Sequence, residues 1–275
     1  NGIDIHDKVD SYGQIIVDEC HHIPASNYET LLKNVAPQFL VGFTATPKRQ
    51  DGLEKLMYFQ LGAVLFESKP ASLTFSQTAY GCDTQIAFPA TWVDGSEPVK
   101  ITQLYQYLQD NASRNQLITR SIAQAIEAKR QCLVLSERKE HIAILSEQLN
   151  TQGINTIELH GGVSTKIRKQ RIELIQKGLP ERTVIIATGK YVGEGFDLPY
   201  LDTLFLALPI SWKGIVAQYA GRIQRHHPNK TEVTVHDYVD DFPMLQRMWK
   251  KRANGYKAVG YSVKKIGSGT TNKLL

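Results

Sequence analysis

Gln14-Ile15-Ile16-Val17-Asp18-Glu19-Cys20-His21 is the stretch from which the fold reads outward. A short apolar run, of the kind that forms a buried strand, stops at two adjacent carboxylates. In open α/β sheets ligands gather beyond the carboxyl ends of the strands. Asp18 and Glu19 therefore stand where chemistry is done. A first carboxylate in such a place can hold Mg²⁺ through its water shell. A second can orient and deprotonate an attacking water. A bare Asp-Glu pair is common in exposed loops. The apolar run before this one, and Thr44-Ala45-Thr46-Pro47 after a second apolar run, set it apart.

Around it the chain alternates strand and helix. Gln14–Asp18 reads as a strand. Ser26 reads as a helix cap with Glu29 three residues on. That helix carries Leu31 and Leu32 to about Val35. Phe39–Thr44 reads as a second strand, and Asp51 opens a helix bearing Leu53, Leu56 and Met57. This β-α-β-α order is a piece of a parallel sheet. Two such strands do not make a stable sheet alone. Residues 69–98 are rich in Thr, Ser, Gly and Pro, with weak alternation over Leu73–Tyr80 and Gln85–Phe88, and read as a connector with one or two short strands. Helical patterning runs from about Val99 to Lys129, with a break near Asp110-Asn111.

From Gln131 the alternation is regular. Strands are expected at Cys132–Ser136, Thr156–Leu159, Thr183–Ala187, Thr203–Ala207 and Glu232–Tyr238. Helices are expected at about Lys139–Leu149, Thr165–Lys177, Lys213–Ile223 and Phe242–Ala253. Strands and helices of these lengths in this order imply a doubly wound parallel sheet with helices on both faces.

The 275 residues suffice for one large or two ordinary domains, and 42% hydrophobic content supplies a core. Cys20, Cys82 and Cys132 are scattered and odd in number, which argues against a disulfide framework or a zinc site and fits a reducing cytoplasm. No apolar run approaches the ~20 residues of a membrane span. Net charge is +5, yet the segment 246–275 carries eight Lys or Arg and no acid, so residues 1–245 carry −3. That basic end interleaves Trp249, Tyr256 and Tyr261. It suits a nucleic-acid backbone, and equally a solvated helix end followed by a loose tail.

A second motif stands far downstream: Gln218-Tyr219-Ala220-Gly221-Arg222-Ile223-Gln224-Arg225. Arg222 and Arg225 fall at i, i+3, the spacing of one helix face. Guanidinium groups there suit the charge that spreads on a transferred phosphoryl group. Three further strand ends bear polar or glycine-rich turns: Ser136-Glu137-Arg138, His160-Gly161-Gly162, and Ala187-Thr188-Gly189 leading to Gly193–Pro199. Adjacent pairs His21-His22 and His226-His227 diverge on one element and do not make a metal site.

In this order and at this separation the motifs resemble the superfamily 2 helicases and translocases, of the DEAD/DEAH-box kind. The nearest flavour is shared by XPB-like helicases and the motor subunits of type I and type III restriction enzymes. The resemblance implies RecA-like domains. Residues 1–68 correspond to the C-terminal part of the first, 69–112 to a connector, 113–255 to the complete second domain, and 256–275 to a basic tail. It implies ATP and Mg²⁺ as cofactors, with Asp18 on the metal, Glu19 on the water, and His21 linking the site to the second domain. Thr44 and Thr46 would couple hydrolysis to movement. Gln218, Arg222 and Arg225 would face the nucleotide phosphates, Arg225 as the principal finger, and Gly195 and Asp197 the nucleotide. Arg138, His160, Gly161 and Thr188 would touch nucleic acid, DNA as the first expectation. Lys48-Arg49-Gln50-Asp51 resembles the Arg-Glu-Asp element of the XPB-like group, with Gln in place of Glu.

The phosphate-cradling G-x-x-x-x-G-K-[ST] loop occurs nowhere in the chain. The expectation is a fragment whose partner is the missing N-terminal half of the first RecA-like domain, inactive as an ATPase by itself. Two alternatives stay open: the motor of a restriction complex, and a nucleic-acid-binding module that does not turn over ATP.

Overall fold

A computed structural model describes residues 12–20, 36–44, 54–67, 75–193, 198–210, 219–228 and 230–267. The chain divides into two compact units, Asn1–Lys69 and Pro70–Leu275.

In the first unit β1 (Gln14–Val17) and β2 (Phe39–Gly42) pair in parallel, Gln14 opposite Phe39 and Val17 opposite Gly42. The helix α1 (Glu54–Leu61) packs on them through Met57 against Cys20, with Val17, Tyr58 and Leu61 around the pair. Gly42 permits this approach. A Cβ there would lie 2.5 Å from Leu61 Cδ1 and 2.9 Å from Cys20 Sγ. Ile16, Phe39, Phe43, Leu65 and Phe66 are exposed. Parallel strands are ordinarily covered on both faces, so this unit leaves open much of what such strands bury.

The second unit is built on a seven-stranded, wholly parallel sheet. In chain order its elements are β3 (Ser76–Asp83), α2 (Ala90–Val93), α3 (Ile101–Asp110), α4 (Ala112–Glu127), β4 (Cys132–Leu135), α5 (Lys139–Thr151) and β5 (Asn155–Leu159). Then follow α6 (Thr165–Gln176), β6 (Thr183–Ala187), α7 (Gly189–Gly193), β7 (Thr203–Leu206), β8 (Glu232–Val239), α8 (Pro243–Ala258) and β9 (Ser262–Ile266). Across the sheet the order is β5-β6-β4-β7-β8-β3-β9.

Both faces are covered. On one, Ile118 and Ile122 of α4 and Ile142, Leu145 and Leu149 of α5 meet Val134, Val184, Ile186 and Phe205. On the other, Ile175 of α6, Tyr219, Ile223, and Trp249 and Tyr256 of α8 meet Leu133, Leu135, Ile185, Leu204 and Val235. Steps toward the β5 edge carry their helices on the first face, and steps toward β9 on the second. A single crossover hand requires that arrangement. The break expected near Asp110-Asn111 is present, because Asn111 Oδ1 accepts from Arg114 N at 2.9 Å and caps α4.

Two expectations are corrected. Ser76–Asp83, read as a short strand of a connector, is an interior strand of the main sheet between β8 and β9. The segment Thr78-Ala79-Tyr80-Gly81-Cys82 is buried on both faces and so lacks the alternation that marks a half-buried strand. Residues 256–266, read as tail, also belong to the body. Tyr256 and Tyr261 are buried, and β9 closes the sheet as an edge strand carrying Lys264 and Lys265. Charged side chains on an edge discourage pairing with another chain.

Two measurements check this architecture. A Cβ at Gly81 would lie 2.5 Å from the Trp249 ring. Gly81→Ala is expected to cost about 1–3 kcal/mol of unfolding free energy in urea, the usual cost of overpacking. His236, stacked between Phe205 and Tyr80, is pushed down to about 3 by burial, as is His141. Each stays neutral in the fold while the unfolded imidazole protonates below its ordinary 6.5. Stability contributed by each is therefore complete above that value and is lost as pH falls toward 3. Between pH 7 and pH 5 the loss is about 2 kcal/mol per imidazole. His236→Phe should abolish its share, so the variant loses less stability than wild type over that interval.

Candidate functional site

The first unit contributes a tight acidic turn. Phe43 N donates to Val17 O and Cys20 N to Phe43 O, both at 2.9 Å, so the end of β1 is pinned to the end of β2. Asp18 Oδ1 accepts from Glu19 N at 2.9 Å. Glu19 has φ 48°, a left-handed conformation that a non-glycine residue adopts at a cost of about 1–3 kcal/mol. Parallel register carries Thr44 to the same strand edge. Asp18, Glu19 and Thr44 thus stand together, while His21 and Thr46 lie outside the described residues.

In the second unit, three of the strand-end turns named above are neighbours, because β5, β6 and β4 are adjacent. Thr188, half-buried, donates its N–H to Leu159 O at 3.0 Å and accepts from Tyr191 N, which starts α7. His160 Nδ1 accepts from Gly162 N at 3.1 Å, with Glu158 Oε2 3.4 Å from Nε2. Arg138 does not stand bare. Its Nε donates to Gln109 Oε1 at 2.7 Å and its Nη2 to Gln106 Oε1 at 2.6 Å. Two neutral amides on α3 hold the guanidinium without cancelling its charge. Behind it Ser136 Oγ, His141 and Asn115 form a buried chain, His141 Nδ1 at 3.0 Å from the hydroxyl and Nε2 at 2.9 Å from Asn115 Oδ1. Asn115 Nδ2 donates to Gln109 O at 2.7 Å, so its Oδ1 is the acceptor and Nε2 carries the imidazole proton.

Helical residues 219–223 lie against this edge. The Tyr219 phenol covers Gly189, where a Cβ would stand 1.8 Å from the hydroxyl oxygen and 2.6 Å from Glu137 Oε1. Gly189 N also donates to Glu137 Oε1 at 3.2 Å. Burial, with Glu137 adding to it, pushes the Tyr219 hydroxyl up to about 12, so it remains a phenol. Arg222 is on the last helical turn, half-buried. Arg225 is exposed in the bend beyond it, a departure from the single helix face expected for the pair. The helix ends at Ile223, the bound expected from the sequence, and side chains take over its last carbonyls. Lys230 Nζ binds Ile223 O at 2.8 Å and Arg225 O at 2.9 Å. Tyr261 OH binds Ala220 O at 3.0 Å. Gln224 Nε2 donates to Gln77 Oε1 and to Val259 O. Gln218, Gly195 and Asp197 lie outside the described residues.

Two buried ion pairs, absent from the sequence reading, hold the loop that follows β7. Arg252 meets Asp237 through Nε at 2.7 Å and Nη2 at 2.9 Å, and its Nη1 donates to Ile210 O at 3.0 Å. Arg114 meets Asp240 at 2.9 Å and 3.2 Å and donates to Ala207 O at 2.6 Å. Tyr105 OH donates to Pro209 O at 3.0 Å. The available signal was a pair of carboxylates in and after an apolar strand, which demands cationic partners. Nothing in the sequence says which of 32 Lys and Arg supplies them. Among the described residues no group of three or more His, Cys, Asp or Glu is placed to hold a metal ion.

Comparison with known proteins gives two family models. "Type III restriction enzyme, res subunit" matches residues 1–49, and "Helicase conserved C-terminal domain" matches residues 99–227. The chain is 27% identical over 263 residues to the "Putative ATP-dependent RNA helicase L396" of Acanthamoeba polyphaga mimivirus, covering 92% of this chain and 48% of that protein. It is 26% identical over 253 residues to the "Probable helicase D10" of Escherichia phage T5, covering 90% and 54% respectively. The chain thus spans about half the length of these relatives. In fold it is similar to Saccharomyces cerevisiae Dbp5 bound to RNA and ADP BeF3, with TM-score 0.62, 14% identity and 95% of this chain matched to 61% of that one. It is likewise similar to T4 UvsW, with TM-score 0.55, 15% identity and coverage of 96% and 56%. The sheet is RecA-like.

Removing one partner of a buried pair leaves an uncompensated charge. Arg252→Met is expected to cost about 3–5 kcal/mol in chemical denaturation, with Asp237 and the Tyr256 hydroxyl that donates to it left without their cation.

Proposed function

We propose that this chain, which belongs to the superfamily 2 helicases, supplies the acidic turn and the arginine-bearing body of an ATP-driven motor acting on nucleic acid, with DNA as the substrate we expect. The observation that carries the reading is the seating of residues 219–225. Arg222 and Arg225 sit on a segment anchored by three side chains, and its Tyr219 touches the Gly189 turn beside Thr188. A surface arginine pair with no task has no need of such anchoring.

The residues fit ATP with Mg²⁺. Asp18 is oriented by the Glu19 N–H, and a carboxylate at a strand end holds that cation through its water shell. When bound, the cation neutralises phosphate charge. Glu19 orients the attacking water and accepts its proton. Arg225, assisted by Arg222, stabilises charge on the transferred phosphoryl group, an effect of about 10³–10⁵ in rate for such fingers. Thr44 and Thr46 link that event to movement, and Arg138, His160, Gly161 and Thr188 bind the sugar-phosphate chain. Contacts of this kind give weak sequence preference and steep salt dependence. The exposed apolar surface of the first unit supports a larger sheet there, one whose remaining strands carry the phosphate-cradling loop. On this reading the 275 residues alone hydrolyse ATP negligibly, and the motor works in the cytoplasm.

The match of residues 1–49 to a restriction subunit model favours, as a second reading, the motor of a restriction complex. The two readings share the ATPase test. The intact protein carrying a phosphate-cradling loop should hydrolyse ATP in a manner stimulated by DNA. Arg225→Ala should lower turnover by about 10³ or more. Stimulation by RNA alone would replace the substrate. Turnover absent with either polymer would leave a binding module.

A further inference from the structure

Lys230 is buried, and its ammonium is spent on the arginine segment. It donates to Ile223 O and Arg225 O, the carbonyls just inside and just beyond the point where the helical ladder stops. Helix ends leave their last carbonyls without intrahelical donors, and a cation there is favourable. Lys230 N donates to His227 O at 3.0 Å, so backbone and side chain together fold the intervening loop back on the helix end. The Phe75 ring lies 5.6 Å from the ammonium.

A charged amine is a costly donor in this place. Burial lowers its proton affinity to about 8, Asp202 opposes that shift, and Arg130 adds to it. Gln77, which receives Gln224 nearby, makes a comparable tie without any charge. Lys230 lines a cavity of about 520 Å³ together with Lys129, Lys177, Asp202 and His227, and of the charged groups around it Asp202 and Arg130 act on its proton.

We propose that Lys230 is a positioning residue for hydrolysis, fixing the backbone that carries Arg222 and Arg225 while contributing little to the stability of the body. The proposal rests on the motor reading for its catalytic consequence and on geometry alone for its structural one. Its sign with pH is distinctive. Loss of the proton above pH 8 relieves the burial cost, so the fold gains stability while the grip on the two carbonyls weakens. Arginine-dependent turnover should fall where stability does not.

Three measurements on Lys230→Met test it. In the 275-residue chain, amide hydrogen exchange over residues 219–225 should rise by about tenfold, with the strands of the sheet unchanged. In the intact motor, kcat should fall by about tenfold or more with the KM for ATP within about twofold. The melting temperature should not fall, and the loss should be absent in an Arg225→Ala background. Lys230→Arg, whose charge persists, should hold its turnover above pH 8 where the wild type declines. Unchanged exchange at 219–225, or a kcat loss that multiplies with Arg225→Ala, overturns the proposal. If Arg225→Ala itself has no effect the motor reading fails, and the exchange result still decides whether Lys230 holds the segment.

Discussion

Asp237 and Asp240 stand in β8 and at its end with no exposed surface, and a carboxylate in that position is tolerable only when paired. Arg252 and Arg114 answer them with two bonds each. Each guanidinium then has its Nη1 left, and in both this nitrogen donates to the loop after β7, at Ile210 O and Ala207 O. The pairs therefore fix a loop as well as neutralise a strand. That loop is the last described backbone before the arginine segment. Its conformation is set by charges whose removal would leave buried ions behind, which makes it among the least negotiable parts of the unit.

The arginine segment itself is held differently. Its ties come from neutral groups and one amine: Tyr261 from the β9 approach, Gln77 on β3 through Gln224, Val259 after α8, and Lys230. Most of these come from the elements read from sequence as connector and tail. The two corrections to the fold are thus also corrections to the site. What looked peripheral is the frame that seats Arg222 and Arg225.

The sequence was informative wherever one residue type or one strand end carried the signal. Cys132–Leu135, Val184–Ala187 and Leu204–Leu206 are uninterrupted apolar runs, and the structure makes each the body of an interior strand. Asp18, Glu19 and Thr44 were legible as neighbours because parallel strands put their ends on one edge. Ser76–Asp83 was legible only as a weak strand of a connector, because a segment buried on both faces lacks alternation and its small residues make room for Trp249 over Gly81 only in the fold. Partners separated by a hundred residues or more, such as Arg114 with Asp240, leave no local trace. Polar ties such as Arg138 with Gln106 and Gln109 need the fold before they can be seen.

The place of β3 has a consequence for how the protein is made. Among the described residues it is the first strand of its unit, yet both its neighbours come late: β8 begins at Glu232 and β9 at Ser262. About 150 residues must leave the ribosome before Ser76 meets Glu232, an interval of roughly eight to thirty seconds at usual rates of synthesis. Through that interval Ala79, Tyr80 and Cys82 have no sheet to enter, and the ladder groups of β3 are unpaired. The β5-β6-β4 half can assemble as it emerges. The β3 half, which frames the arginine segment, closes only after β8 and β9 have emerged. Nascent β3 is therefore a stretch that a chaperone would shield, and a ribosome stalled before Glu232 would display it.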